Sequence, residues 1–78
     1  MVKVKYYGFL KKFMPEVGED GFWNAPKAGI SIEQLFAETT VDYKTYRMTI
    51  LVNSSRKDVG YVLQDGDTLT VMPLVAGG

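Results

Sequence analysis

Side-chain chemistry is scarce in this chain, and the scarcity is informative. There is no His and no Cys. Imidazole acid–base catalysis, thiolate nucleophiles and thiolate–zinc sites are therefore excluded. Any catalytic group would have to be Asp, Glu, Lys, Ser or Tyr, and no two of these form a recognisable motif. Asp65-Gly66-Asp67 lacks the further ligands of a calcium loop and reads better as a turn. What remains is the main-chain carboxylate of Gly78. It follows Pro73-Leu74-Val75-Ala76-Gly77, a stretch of small or modest uncharged side chains. Proline cannot donate to a strand ladder, so pairing is expected to end at Pro73, leaving 73–78 as a thin, flexible tail. Glycine has no Cβ, so a narrow groove can close around it. A carboxylate at the tip of such an arm suits activation in another protein's pocket. The competing reading is a frayed terminus.

The elements that must hold this arm follow from periodicity. Val2, Val4 and Tyr6 alternate with Lys3 and Lys5, the pattern of a strand with one buried face. Gly8 breaks it. Phe9, Leu10, Phe13 and Met14 recur at helical spacing and predict a short helix ending near Pro15. Phe22 and Trp23 predict a short second strand, closed by Asn24, Pro26 and Gly29. Ser31 with Gln34 matches a capping box, opening a helix whose apolar stripe is Ile32, Leu35 and Phe36. Glu33 and Glu38 face water, and the helix fades at the β-branched Thr39 and Thr40. Met48 to Val52 is an apolar strand stopped by Asn53, Ser54 and Ser55. A short turn or strand around Val59 to Leu63 precedes the Asp-Gly-Asp turn, and Thr68 to Val71 alternates again.

Strand, strand, helix, strand, small element, strand is an α+β order. With the first and last strands apolar and central, it predicts a β-grasp: a mixed sheet of four to five strands with one main helix on one face. At 78 residues this is a single domain, 1–78, without disulfide or metal staples. Its 46% hydrophobic content and ten aromatic residues must supply the core. Nine acids balance nine bases, which gives no global pull toward nucleic acid or an anionic membrane. No apolar run approaches the ~20 residues that span a bilayer. The first residues read as a strand and not as a signal peptide, and the lack of Cys fits a reducing cytoplasm.

The stretch Leu63 to Gly78, with its Asp-Gly-Asp, hydrophobic strand, Pro73 and Gly77-Gly78, resembles the C-terminal signature of the MoaD/ThiS family of ubiquitin-like sulfur carriers. Val52-Asn53 resembles the family's valine–asparagine at the end of its third strand, and Val2 to Met14 fits its opening. The resemblance spans nearly all of the chain and is sharp over the last sixteen residues. It implies a β-grasp protein that is not itself an enzyme and binds no cofactor. An ATP-dependent activating enzyme adenylates the Gly78 carboxylate, and sulfur transfer turns it into a thiocarboxylate. Pro73, Leu74, Val75, Ala76 and Gly77 are then the tail that partners grip. The proline and Ala-Gly-Gly look more like the small subunit of molybdopterin synthase, whose partner is that enzyme's large subunit. A carrier for thiamin or another sulfur metabolite, and a ubiquitin-like modifier, are the alternatives.

Carried over by alignment, the family's apolar contact patch maps to Tyr7, Arg56 and Met72. Arg56 departs from it, since the family often has an apolar residue there. Simple sheet burial is the other reading for Met72 and Leu74. Phe22 and Trp23 read as packing residues, or else as an exposed anchor for a partner. Lys11, Lys12, Arg56 and Lys57 read as a solvated face in preference to a phosphate footprint.

Overall fold

The computed structural model describes residues 1–25 and 28–74. Strand β1, Val2–Tyr6, alternates as expected, with Val2, Val4 and Tyr6 buried. Gly8, at φ 59°, turns the chain into the 3₁₀ helix Gly8–Phe13. The expected α-helical stripe is thus a tighter turn, and it buries Leu10 while leaving Phe9 exposed. Such short 3₁₀ pieces serve as connectors. Strand β2, Trp23–Ala25, pairs antiparallel with β1. The predicted closure of β2 at Pro26 falls outside the described residues.

Helix α1, Ile32–Glu38, begins with the predicted capping box. The Gln34 amide donates to Ser31 Oγ at 3.2 Å, and the Ser31 amide donates to Gln34 Oε1 at 3.0 Å. Two orphan donors of the first turn are satisfied reciprocally. Ile32, Leu35 and Phe36 are buried. At the far end the Thr39 hydroxyl donates to the Leu35 carbonyl at 2.9 Å, and Thr40 adopts φ 61°. A β-branched residue in that region ends a helix.

Strand β3, Met48–Val52, keeps its predicted bounds. Asn53 and Ser54 do not simply stop it. Both sit at positive φ, 51° and 70°, the requirement of a type I′ turn, and they feed a two-residue strand β4, Ser55–Arg56. Ser54 occupies the place usually taken by glycine, which hid the hairpin. Around Val59 to Leu63 the extended structure is a single bridge, Val62 to Ser31. Strand β5, Thr68–Pro73, runs two residues beyond the alternation seen in sequence.

The sheet order is β2-β1-β5-β3-β4, with β5 parallel to β1 and antiparallel to β3. That is a mixed five-stranded sheet with α1 packed on one face, the expected β-grasp. The Phe36 ring meets Tyr6 edge-on at 6.2 Å. The Tyr6 hydroxyl lies 2.9 Å from Thr39 Oγ1, whose own proton is directed to Leu35, so Tyr6 donates. Burial pushes the Tyr6 hydroxyl up to about 12.

Pairing does not end at Pro73. The Leu74 amide donates to the Arg47 carbonyl at 3.0 Å, one residue further on. Along β5 the amides alternate sides. Leu74 points to β3, while Val71 accepts from the Tyr7 amide on the β1 side. Pro73 therefore points its ring nitrogen toward β1, which has already finished at Tyr6. A proline there sacrifices no ladder bond.

Candidate functional site

Because β1 and β5 are parallel neighbours, both deliver their C-terminal ends to the same edge of the sheet. One end turns into the 3₁₀ helix; the other carries the chain out toward Gly78. The two are closely fitted. A Cβ on Gly8 would stand 2.9 Å from Pro73 Cγ, so this position needs glycine for space as well as for its φ. On the other flank, the Leu74–Arg47 bond ties the exit to the loop before β3. The Phe9 and Tyr46 rings meet edge-on at 5.2 Å across this end.

The result is an apolar collar. Tyr7, Phe9, Tyr46 and Leu74 are 39%, 45%, 42% and 54% exposed, and they make up four of the seven exposed large apolar side chains among the described residues. Exposed apolar groups scattered singly are ordinary; gathered at one place they mark a contact surface. The sequence stripe placed Phe9 on the apolar face of a short helix and gave Tyr46 no role. Only their convergence on the exit of β5 shows the collar.

Tyr7 and Met72 come together. The register Tyr6 opposite Val71 makes them neighbours on the sheet face away from α1. Met72 is half-buried and Leu74 exposed, so sheet burial accounts for the first in part and not for the second. Arg56 shares that face through its partner Leu51, but it lies on β4, with β3 and β5 between it and Tyr7. Val75, Ala76, Gly77 and Gly78 lie outside the described residues. Pro73 belongs to β5 and is held against Gly8.

Phe22 and Trp23 part ways. Trp23 sits opposite Val4 and is buried in the core. Phe22 is half-buried, and the Lys3 and Lys5 ammonium groups lie 5.6 and 5.3 Å from its ring centre. Lys5 also lies 4.8 Å over Tyr7, which extends the aromatic surface from the collar toward β2. Lys11 and Lys12 stand on the 3₁₀ helix beside β1 and β5, whereas Arg56 and Lys57 stand beyond β3. The four do not form one patch.

At the opposite end of β5, Asp67 is the polar centre that sequence reading reduced to a turn. Its buried carboxylate accepts from Asn53 Nδ2 at 2.8 Å, the Tyr61 hydroxyl at 3.0 Å and the Gln64 amide at 2.8 Å. Burial pushes the carboxyl upward, but the Gln64 amide, the Asn53 amide and the Tyr61 hydroxyl outweigh it and hold it below the ordinary carboxylate value. The same bond holds the Tyr61 hydroxyl above its usual value. Asn53 completes the link by accepting from the Thr68 amide at 3.0 Å. These groups satisfy one another, an arrangement that holds a fold and leaves no free acid or base. Among the described residues no group of His, Cys, Asp and Glu is placed to hold a metal ion.

Set against solved structures, the chain is similar to SAMP1 from Haloferax volcanii. The two superpose with a TM-score of 0.60 over 99% of this chain and 98% of that one, at 16% identity. The fold is a ubiquitin-like β-grasp. At that identity the likeness speaks for the fold alone. No protein-family model and no curated protein matches the chain. Among the described residues no helix is long and apolar enough to cross a membrane.

Proposed function

We propose that this ubiquitin-like protein is a sulfur carrier of the MoaD/ThiS kind, acting in the cytoplasm through the carboxylate of Gly78. The observation that carries the reading is the collar. The strand leading to Gly77-Gly78 leaves the sheet amid Tyr7, Phe9, Tyr46 and Leu74, so a partner that grips the chain end finds a contact surface at its root. The side chains contribute binding, and the chemistry belongs to the chain end. The Gly78 carboxylate attacks the α-phosphorus of ATP on an activating enzyme, and pyrophosphate leaves. The terminal sulfur of a donor protein's persulfide attacks the acyl-adenylate carbonyl, and AMP leaves. A thiol of the donor or of the activating enzyme then cleaves the acyl disulfide, becoming a disulfide itself and freeing the thiocarboxylate. The thiocarboxylate passes its sulfur to an acceptor, and hydrolysis returns the carboxylate. Of the acceptors, molybdopterin synthase is favoured by the proline and the Ala-Gly-Gly ending, with this chain as its small subunit beside the large one. Thiamin or another sulfur metabolite is the alternative destination. The likeness to SAMP1 keeps a ubiquitin-like modifier as the second reading.

Intact-mass measurement after incubation with ATP, the activating enzyme and a sulfur source tests this. The expected product has one oxygen exchanged for sulfur, and deletion of Gly78 or a larger residue in its place abolishes it. Isopeptide-linked products on other proteins, with no free thiocarboxylate, would decide for the modifier. An unchanged mass overturns both readings.

A further inference from the structure

Arg56 does not fit the tail-root surface, and its surroundings show a different role. It lines an open groove of about 750 Å³ along the outer edge of β3. Met48, Ile50 and Val59 give the groove an apolar floor, and Tyr43 and Tyr46 form one wall. Its charged lining is lopsided: Lys44, Arg47, Arg56 and Lys57 against Asp58 alone. In a chain whose net charge is zero, this is a concentrated positive site. Among the described residues none of the four cations enters an ion pair, although Lys57 rests 5.3 Å over the Tyr61 ring.

The main chain adds a second requirement. Strand β4 pairs only with Leu51 and Val52, and the Lys57 amide reaches as far as the Ile50 carbonyl. Arg47 faces β5, where its carbonyl accepts from Leu74, so by alternation Met48 turns its amide and carbonyl outward over the groove. An edge of this kind accepts an added strand, with main-chain bonds giving affinity and pockets for alternate side chains giving specificity.

We infer that this groove docks an extended acidic segment of a partner protein. The segment lies along the edge of β3 at Met48, sets an apolar side chain on the Met48–Ile50–Val59 floor, and meets Lys44, Arg47 and Arg56 with its carboxylates. Leu74 also lines the groove, so the docked segment continues the collar surface and orients its owner toward the chain end. A compact anion such as a nucleotide uses the cations but leaves the strand edge and apolar floor without a partner. The docking is independent of any chemistry at Gly78.

The test is an amide-shift titration of the full chain with a capped peptide alternating Glu and Ile. A Lys–Ile peptide and tripolyphosphate serve as comparisons. Expected are saturable shifts at Arg47, Met48, Ile50 and Val59 with the Glu–Ile peptide only. Affinity falls about tenfold when the salt is raised from low to several-fold physiological strength, because the contacts are exposed charges. The charge reversal R47E/R56E weakens binding by roughly tenfold or more at an unchanged melting temperature. If that variant unfolds, K44E in the exposed loop carries the same expectation. Equal binding of the Lys–Ile peptide overturns the proposal. So do shifts confined to Tyr7 and Met72, or binding of tripolyphosphate where the Glu–Ile peptide has no effect.

Discussion

At its first residues β5 is held by Asp67, whose carboxylate gathers Asn53, Tyr61 and Gln64, and by Asn53, which returns a bond to Thr68. Six residues later the same strand leaves the sheet between Gly8 and Arg47, ringed by exposed aromatic and apolar side chains. Both ends are fixed, but by different means. The first is closed by polar groups that satisfy one another and present nothing to a partner. The second is placed by main-chain and steric contacts, which leaves its side chains free to meet something outside the chain. A strand that must deliver its C-terminus to another protein needs both: an anchor at one end and an open surface at the other.

The sharpest way to break this contrast is Asp67→Ala. It leaves three donors without their shared carboxylate and should cost about 3 kcal/mol, read as a lower urea midpoint at an unchanged slope. A cost below about 1 kcal/mol, the ordinary level for a single neutral hydrogen bond, would show that the network does not anchor β5. The acid limb follows in sign. A carboxyl held low in the folded chain stabilises above its unfolded value, and that contribution is lost as the pH falls through its lowered one. Asp67→Asn should therefore flatten the loss of stability below about pH 4.

Tyr6, which ties β1 to α1 beneath both ends, sets the alkaline limb. Its folded value of about 12 lies above the unfolded one near 10. Its contribution is present below pH 10 and disappears as the pH climbs toward about 12, a loss of at most about 2–3 kcal/mol. Tyr6→Phe should remove that slope and cost about 1 kcal/mol at neutral pH through the lost bond to Thr39. A slope that persists in Tyr6→Phe would assign it to another group.

At the exit, Gly8→Ala should cost about 1–2 kcal/mol, since alanine must hold a left-handed φ against the Pro73 ring. The smallest expected stability effect is Phe9→Ala or Tyr46→Ala, about 1 kcal/mol or less, because the pair is half in water. The same variants should weaken capture by an activating enzyme out of proportion to their stability cost. If they cost as much as Asp67→Ala, the collar is core and the contrast fails.

The elements with a local signal were legible in the sequence. The alternation of Val2, Val4 and Tyr6, the Ser31–Gln34 box and the run Met48 to Val52 each carry their period or cap within a few neighbouring residues, so each appears as expected. The β4 hairpin escaped because Ser54 takes a positive φ without the usual glycine. The 3₁₀ turn escaped because Phe9, Leu10 and Phe13 fit either helical period over so short a stretch.

The absence of His and Cys was decided by the sequence alone, and it excluded imidazole and thiolate chemistry. So were the order of the elements and the Asp-Gly-Asp turn. Only the tertiary structure decided which distant residues meet. Asp67 finds Asn53 fourteen residues away, Phe9 finds Tyr46, and Arg56 joins Lys44 and Arg47 instead of Tyr7. Periodicity records which face of an element is apolar. It does not record which neighbour that face will meet, because parallel pairing of the first and last strands is set by burying the whole core at once.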